Sequence, residues 1–363
     1  MERFKNLVKN YSDDDWEGFQ GFVKKEFHSK YILGDKPFFD WQYLKNPSNS
    51  EDSYSVKMLV YNNKILGYLG LLPIRLQVFD SISGNSAALC NLMVEGSVRP
   101  FGFGTYLMKS AMDQYDILWG TGYNPATRTI YEKLGNWKMM GDLNRYIKIL
   151  NHERITRLIG QKVENESHKN NKHHNEITVK EINFFDTSID YFWTAIKNKY
   201  PITVQRSADY LNWRYSFHPY FKYKILLAER KGEIVGYLVY RVSEATGVDE
   251  KLTVAHILDL ISEKEAIHCL LQYFEKKAEL MSVDIADYFS TGLFHHKEFI
   301  QSGYHQDIKF PYDEIPLYFN PISHKRQGIN FLVFTKLNKE KIGNVNSWYI
   351  TKGDGDKDRP NPH

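Results

Sequence analysis

The stretch VEGSVRPFGFGTYLMKSAM, residues 94–112, decides how this chain folds. The apolar run before it, SAALCNLMV, reads as a strand, and FGTYLMKSAMDQY carries apolar residues at helical spacing. The chain therefore passes from a strand through a glycine-containing turn into a helix that starts at about Gly104. Backbone N–H groups at such a helix start, together with the positive end of its dipole, suit a pyrophosphate. Gly102 and Gly104 have no side chains, so the backbone there can come close to phosphate oxygens. Pro100 lacks an N–H, which leaves Phe101, Gly102, Phe103, Gly104 and Thr105 as the cradle. Arg99 can add a charge-assisted bond. A Gly-x-Gly turn alone serves tight strand–helix packing equally well, and no Gly-Lys-Ser/Thr follows as in a Walker A loop.

The flanks extend the pattern. SVKMLVYNN and KILGYLGLLPIRLQVFD are apolar runs around a polar turn at Asn62-Asn63, so a hairpin. Downstream, YDILWGTGY reads as a buried strand, ATRTIYEKLG as a helix capped by Gly135, and NRYIKIL as a strand closing the unit. Antiparallel strands followed by strand, helix, strand, helix, strand give a mixed α/β layout.

The same order recurs later in the chain. FFDWQYLKNP (residues 38–47) matches YLNWRYSFHP (residues 210–219), pairing Trp41 with Trp213 and Tyr43 with Tyr215. Gly67-Tyr68 then matches Gly236-Tyr237, Gly122 matches Gly292, and Gly135 matches Gly303. Four matches in one order at nearly one offset indicate duplicated domains, and a length of 363 residues also suggests two.

Composition excludes several classes. The 47 basic and 44 acidic residues leave a charge of +3, with no basic stripe of the kind a nucleic-acid binder shows. The charged N-terminal stretch is not a signal peptide and no run reaches 18 apolar residues, so a soluble, cytoplasmic protein without a membrane partner is expected. Cys90 and Cys269, far apart, fit two buried thiols of a reduced compartment, with a disulfide or nucleophile as the alternative. QKVENESHKNNKHHNEITVK, residues 161–180, reads as a polar linker. Its His168, His173 and His174 lack ligands at a fixed spacing, and no metal site is expected.

Arg99-Pro-Phe-Gly102-Phe-Gly104 resembles the R/Q-x-x-G-x-G/A pyrophosphate motif of the GNAT N-acetyltransferase superfamily. Residues 124–135, NPATRTIYEKLG, resemble that superfamily's N-x-x-A-x-x-L-Y-E-K-x-G segment, with the Asn-to-Tyr spacing of seven kept. The resemblance covers about residues 55–150 and implies mixed, largely antiparallel sheets flanked by helices. It implies acyl-CoA (coenzyme A) as co-substrate, with Met93 and Val94 pairing through their backbone with the pantetheine amide. Residues 99–105 would hold the pyrophosphate and Asn124 the pantetheine arm. Tyr131 would protonate the departing thiolate as general acid; a half-buried helix aromatic is its plain alternative. A backbone N–H near Val94 would polarise the thioester carbonyl. The carboxylate base that many GNAT enzymes carry early in the strand is missing from SAALCNLMV, and Glu95 lies at the pyrophosphate end.

The resemblance organises the chain as two tandem GNAT-like domains: residues 1–155 binding acyl-CoA, a polar linker over 156–180, and a degenerate copy over 181–363 that builds the acceptor cleft. The copy has HILDLISEKEAIHCLLQYFEKKAEL where the glycine turn should be. His295 and His296 fall near the Asn position, as candidate bases or as packing residues. Arg214 either packs or meets a substrate phosphate. The tail WYITKGDGDKDRPNPH lacks the distal Glu of a calcium loop. It is either a disordered acidic tail or a flap over the acceptor site, with Asp354 and Asp356 binding sugar hydroxyls or an amine. Such double chains resemble bacterial surface-polysaccharide enzymes that N-acylate dTDP- or UDP-linked amino sugars with acetyl or a short hydroxyacyl group. A FemABX-like aminoacyl or peptide transferase and a non-catalytic GNAT-like acyl-CoA-binding module are the rival readings, and a homodimer is a possible assembly.

Overall fold

The computed structural model describes residues 7–27, 30–49, 53–124, 127–164, 176–245, 252–316 and 328–360. His168, His173 and His174 lie outside them. Asn62 and Asn63, at φ 47° and 60°, form the two-residue turn between strands Val56–Tyr61 and Lys64–Pro73. Both tolerate the left-handed backbone such a hairpin demands.

Two seven-stranded sheets carry the architecture. From edge to edge, the first runs Val8–Asn10, Val56–Tyr61, Lys64–Pro73, Ser86–Val94, Ile117–Thr121, Asn330–Thr335 and Trp137–Asp142. The second runs Ile177–Ile182, Lys224–Arg230, Glu233–Ala245, Leu252–Ser262, Ile285–Ser290, Asn144–Ile149 and His305–Gln306. Pairing is antiparallel throughout, save one parallel ladder at the centre of each sheet.

The sixth strand of each sheet comes from the other half of the chain. NRYIKIL was expected to close the first unit, yet Asn144–Ile149 pairs with Ile285–Ser290 and His305–Gln306. Its counterpart Asn330–Thr335 fills the gap it leaves, between Ile117–Thr121 and Trp137–Asp142. Apolar alternation marks a strand but not its partner, which only long-range pairing decides. The expected run through LQVFD also divides. Leu76–Val78 leaves the first sheet for a four-stranded one with Ser81–Ser83, Ile202–Val204 and Trp348–Tyr349. A cut between residues 155 and 181 thus divides strands from the sheets they complete.

The repeat reappears as symmetry. Trp41 and Trp213 stack with centroids 5.1 Å apart, and each indole N–H donates to the other's carbonyl, at 2.9 and 2.8 Å. A self-complementary contact of this kind is what a two-fold arrangement produces. Gly122 and Gly292 share positive φ (61° and 63°), as do Gly135 and Gly303 (67° and 82°). Asn330 and Asn144, which begin the two exchanged strands, both hydrogen-bond these turns: Gly122 N–H donates to Asn330 O at 2.7 Å, and Asn144 Nδ2 donates to Gly292 O.

Through residue 360 the tail is neither disordered nor an outer flap. After Trp348–Tyr349 it runs buried between the halves, and its carboxylates meet guanidinium groups. Arg206, fully buried, binds Asp259 at 3.0 and 3.2 Å and Asp354 at 2.9 Å. Arg241 clasps Asp358, with Nε 2.8 Å from Oδ1. Burial pushes the Asp358 carboxyl up, but Arg241, Lys352 and Arg214 together hold it below the usual carboxylate range. Removing one member of a buried pair strands the other charge, which costs about 3–5 kcal/mol. Asp358→Ala is therefore expected to lower unfolding stability by about that amount, and Lys9→Ala, which breaks an exposed pair with Asp15, by less than about 1 kcal/mol. Urea unfolding curves for the two variants give the comparison.

Candidate functional site

Ser86–Val94 and Ile117–Thr121 run parallel but pair only from Ser86 to Ala88, opposite Ile117 to Trp119. Beyond that point they diverge. On its other edge the Ser86–Val94 strand shifts register against Lys64–Pro73: three steps from Leu89 to Leu92 face two from Leu71 to Leu69. Cys90 and Asn91 sit in this bulge, a device that bends a strand and re-aims its side chains. The divergence opens a cleft of about 140 Å³ lined by both strands, by Tyr123, Asn124 and Tyr131, and by Asp356 and Lys357 of the tail.

The glycine turn follows the end of the first strand. Residues Gly96–Phe101 make a tight helical turn, Gly102 takes a left-handed φ of 73°, and the helix Gly104–Gln114 begins where expected. No side chain caps that helix start. A Cβ at Gly104 would sit 3.5 Å from Ile130, so the helix start lies close to the helix carrying Tyr131. Phe101 is 72% exposed, and Phe103 and Thr105 complete the rim. Arg99 is tethered: its Nε donates to Val94 O at 2.7 Å and its Nη2 lies 3.4 Å from Glu26. More than half of its side chain still faces solvent. Met93 and Val94 end the strand facing Tyr68 and Gly67 across the ladder.

Tyr131 lies on the helix Arg128–Leu134, buried at the cleft wall. Burial raises its hydroxyl to about 12, against a smaller opposing effect of a Thr127 hydrogen bond, so it keeps its proton at neutral pH. Asn124 begins the turn before this helix, its carbonyl accepting the Thr127 N–H at 2.8 Å.

Other residues named from the sequence fall elsewhere. Arg214 meets no open phosphate pocket: it is 3% exposed and donates to the Gly353 carbonyl at 2.7 Å, and more weakly to those of Gly355 and Asp358. Asp354 is committed to Arg206 and to the Thr351 N–H. His295 and His296 do not line the cleft. His295 Nε2 lies 3.2 Å from the Tyr200 hydroxyl, within an aromatic cluster that includes Tyr349. His296 Nδ1 lies 3.1 Å from the Tyr146 hydroxyl. Only Asp356 of the tail's carboxylates lines the cleft.

The second half has an equivalent divergence, beyond the parallel pairing of Val254–Ile257 with residues 285–288. There the tail itself enters. Thr291 N–H donates to Ile350 O at 2.9 Å, Lys352 N–H to Phe289 O at 3.3 Å, and Gly353 N–H to Leu258 O at 3.1 Å. Gly353 is needed for this approach, since a Cβ would stand 2.2 Å from the Tyr215 hydroxyl and 2.7 Å from Leu258 O.

Sequence reasoning missed Asn91, Lys357 and Arg359. Arg359 Nη1 donates to Asn91 Oδ1 at 2.7 Å and to Asp356 Oδ2 at 2.9 Å, and Lys357 Nζ donates to Gly122 O at 2.9 Å. For Lys357 and Arg359 the one local signal is the glycine spacing of the adjoining GDGD, which marks close backbone packing; Asn91 carries none.

No family model and no curated protein matches this sequence. Solved structures do. A conserved protein of Enterococcus faecalis described as a probable N-acyltransferase shares 12% identity, covering 91% of this chain and 73% of that one, at a TM-score of 0.60. A GCN5-related N-acetyltransferase from Anabaena variabilis shares 12%, over 92% and 73%, at 0.55. Saccharomyces cerevisiae N-myristoyltransferase with bound myristoyl-CoA shares 10%, over 91% and 80%, at 0.52. The chain shares the fold of these three structures, mixed sheets flanked by helices, over nine-tenths of its length.

The buried histidines give a pH test. Burial, with the Lys199 charge, lowers His295 to about 4; burial, against the pull of Asp287, lowers His256 to about 4. An unfolded histidine titrates near 6.5. Between these values the unfolded chain binds more protons, so stability present above pH 6.5 is lost as pH falls toward 4. Melting temperature is expected to decline across that window, with a shallower slope for His295→Gln.

Proposed function

We propose that this protein is an acyl-CoA-dependent N-acyltransferase. The observation that carries the proposal is one cleft with the protonated hydroxyl of Tyr131 on its wall, next to a glycine-built helix start that packs close to Ile130 of the Tyr131 helix. The group such a cleft would hold fits the residues present. Gly102 and Gly104 leave room at the helix start for a pyrophosphate, Arg99 presents a cation at the mouth, and the unpaired edge of residues 89–94 suits an extended amide-bearing arm. Myristoyl-CoA bound to a neighbour of the same fold supports the assignment. The bound thioester supplies the activated acyl carbon. An acceptor amine attacks it directly, the C–N bond forms, the C–S bond breaks, and Tyr131 gives its proton to the thiolate.

The acceptor follows from the sequence resemblance: the amine of a dTDP- or UDP-linked amino sugar in surface-polysaccharide synthesis, acylated with acetyl or a short hydroxyacyl group. The second half builds the acceptor side in this proposal. Its own cofactor-like cleft is filled by the tail, which supports one coenzyme per chain.

Gly102→Asp puts a like charge and a strained left-handed φ where phosphate is proposed to sit. Calorimetric affinity for acetyl-CoA is expected to fall at least tenfold; unchanged affinity would remove the pyrophosphate assignment. Tyr131→Phe should keep acetyl-CoA affinity while kcat drops roughly 10²-fold or more, in line with loss of a general acid. Full turnover by that variant would end the acid role.

A further inference from the structure

We propose that Asp356, brought by the C-terminal tail to the cleft wall beside the bulge of the diverging strand, is the general base that takes the proton from the attacking amine. The inference rests on the acyltransferase reading and supplies the group the strand itself lacks. Among the described residues lining the cleft, Asp356 is the one carboxylate. Its rivals are engaged elsewhere. Glu95 is tied to Lys25 and Lys64 at 2.7 and 2.9 Å, on the outer side of the turn. His295 and His296 face the Tyr200 and Tyr146 hydroxyls in the second half. Asp354 and Asp358 are buried against Arg206 and Arg241.

Asp356 is held in a way that suits a base. Arg359 donates to Oδ2 at 2.9 Å and, through the same nitrogen, to Asn91 Oδ1 at 2.7 Å. The carboxylate is thereby anchored to the bulge of the strand whose far end leads into the glycine turn. Oδ1 has no hydrogen-bond partner among the described residues. Tyr31, which donates to the same Asn91 oxygen at 3.0 Å and lies under the Arg359 guanidinium, completes the support. The titratable groups facing Asp356 are Lys357 and Arg359 from its own segment, Cys90 from the strand, Tyr68 from the neighbouring strand Lys64–Pro73, and Tyr31 and Tyr43 from the chain before the first sheet's hairpin. In the step, the amine nitrogen bonds to the acyl carbon and its proton passes to Asp356 Oδ1. The C–S bonding pair leaves on sulfur, which takes the Tyr131 proton. Solvent then exchanges one proton from Asp356 to Tyr131, so the reaction is neutral overall.

The test uses the full chain, acetyl-CoA, glucosamine as amine probe, and thiol release with and without the amine. Asp356→Asn is expected to bind acetyl-CoA within threefold of the unmodified protein by calorimetry while kcat/KM falls roughly 10²- to 10⁴-fold. The acid limb of its pH profile should vanish, and Asp356→Glu should restore at least a tenth of the rate. The inference is overturned if Asp356→Asn turns over within threefold with the acid limb intact. It is also overturned if Asp356→Asn and Asp356→Glu lose folding and activity equally, which marks Asp356 as a partner for Arg359 only. An unmodified protein that binds acetyl-CoA but releases no thiol to water or glucosamine at any pH counts against the base as well. Failure of the unmodified protein to bind acetyl-CoA removes the acyltransferase reading itself.

Discussion

The structure depends on burying a charged tail between two sheets. Residues 348–359 bring Asp354 and Asp358 into an interior where Arg206, Arg214 and Arg241 are almost wholly shielded from water. Each guanidinium needs several acceptors, and the tail supplies them as carboxylates and as the carbonyls of Gly353, Gly355 and Asp358. Without the tail Arg241 would lose its carboxylate, Arg214 its three carbonyl acceptors, and Arg206 would keep Asp259 alone; a buried cation left without its partner costs far more than the pair contributes. The tail is thus an internal element that the sheets are built around. Its glycines follow from the same constraint, since backbone and tyrosine crowd the path at Gly353.

Strand exchange has the same effect at larger scale. With Asn330–Thr335 in the first sheet and Asn144–Ile149 in the second, neither half completes its own core. One hydrophobic cluster accordingly runs from Phe19 and Trp41 through Trp213 to Trp348. The two halves are joined by backbone ladders and by the reciprocal tryptophan pair, and the cleft draws its groups from residues as far apart as Asn91, Tyr131 and Asp356.

What could be read from the sequence was what local chemistry decides. The glycine turn, the helix after it, the Asn62-Asn63 hairpin and the Gly135 cap all depend on neighbours within a few positions. The repeat was legible too, because Trp41 and Trp213 do matching work in matching places. The partners of NRYIKIL were not legible, because its apolar alternation is equally satisfied by either sheet. Arg214 and the aspartates of the tail were open for a related reason. A charged residue in sequence looks the same whether it meets solvent, substrate or a buried counter-charge more than a hundred residues away. Asp356 and Asp354, two positions apart, have different fates only because one faces the cleft and the other faces Arg206.

The two divergences make the division of labour between the halves a physical matter. Where two parallel strands separate, the facing edges lose their ladder partners, and buried N–H and C=O groups left unpaired cost roughly 1–3 kcal/mol each. The second half resolves this with its own chain, as Lys352 and Gly353 donate to Phe289 and Leu258. In the first half no strand among the described residues pairs with 89–94 on that side, and the tail stops at the wall, contributing the Asp356 and Lys357 side chains instead of a strand. An extended amide-bearing molecule entering there would do for the first cleft what the tail does for the second. The tail would then have two functions in one segment: its early residues close the cleft that is not used, and its later ones furnish the cleft that is.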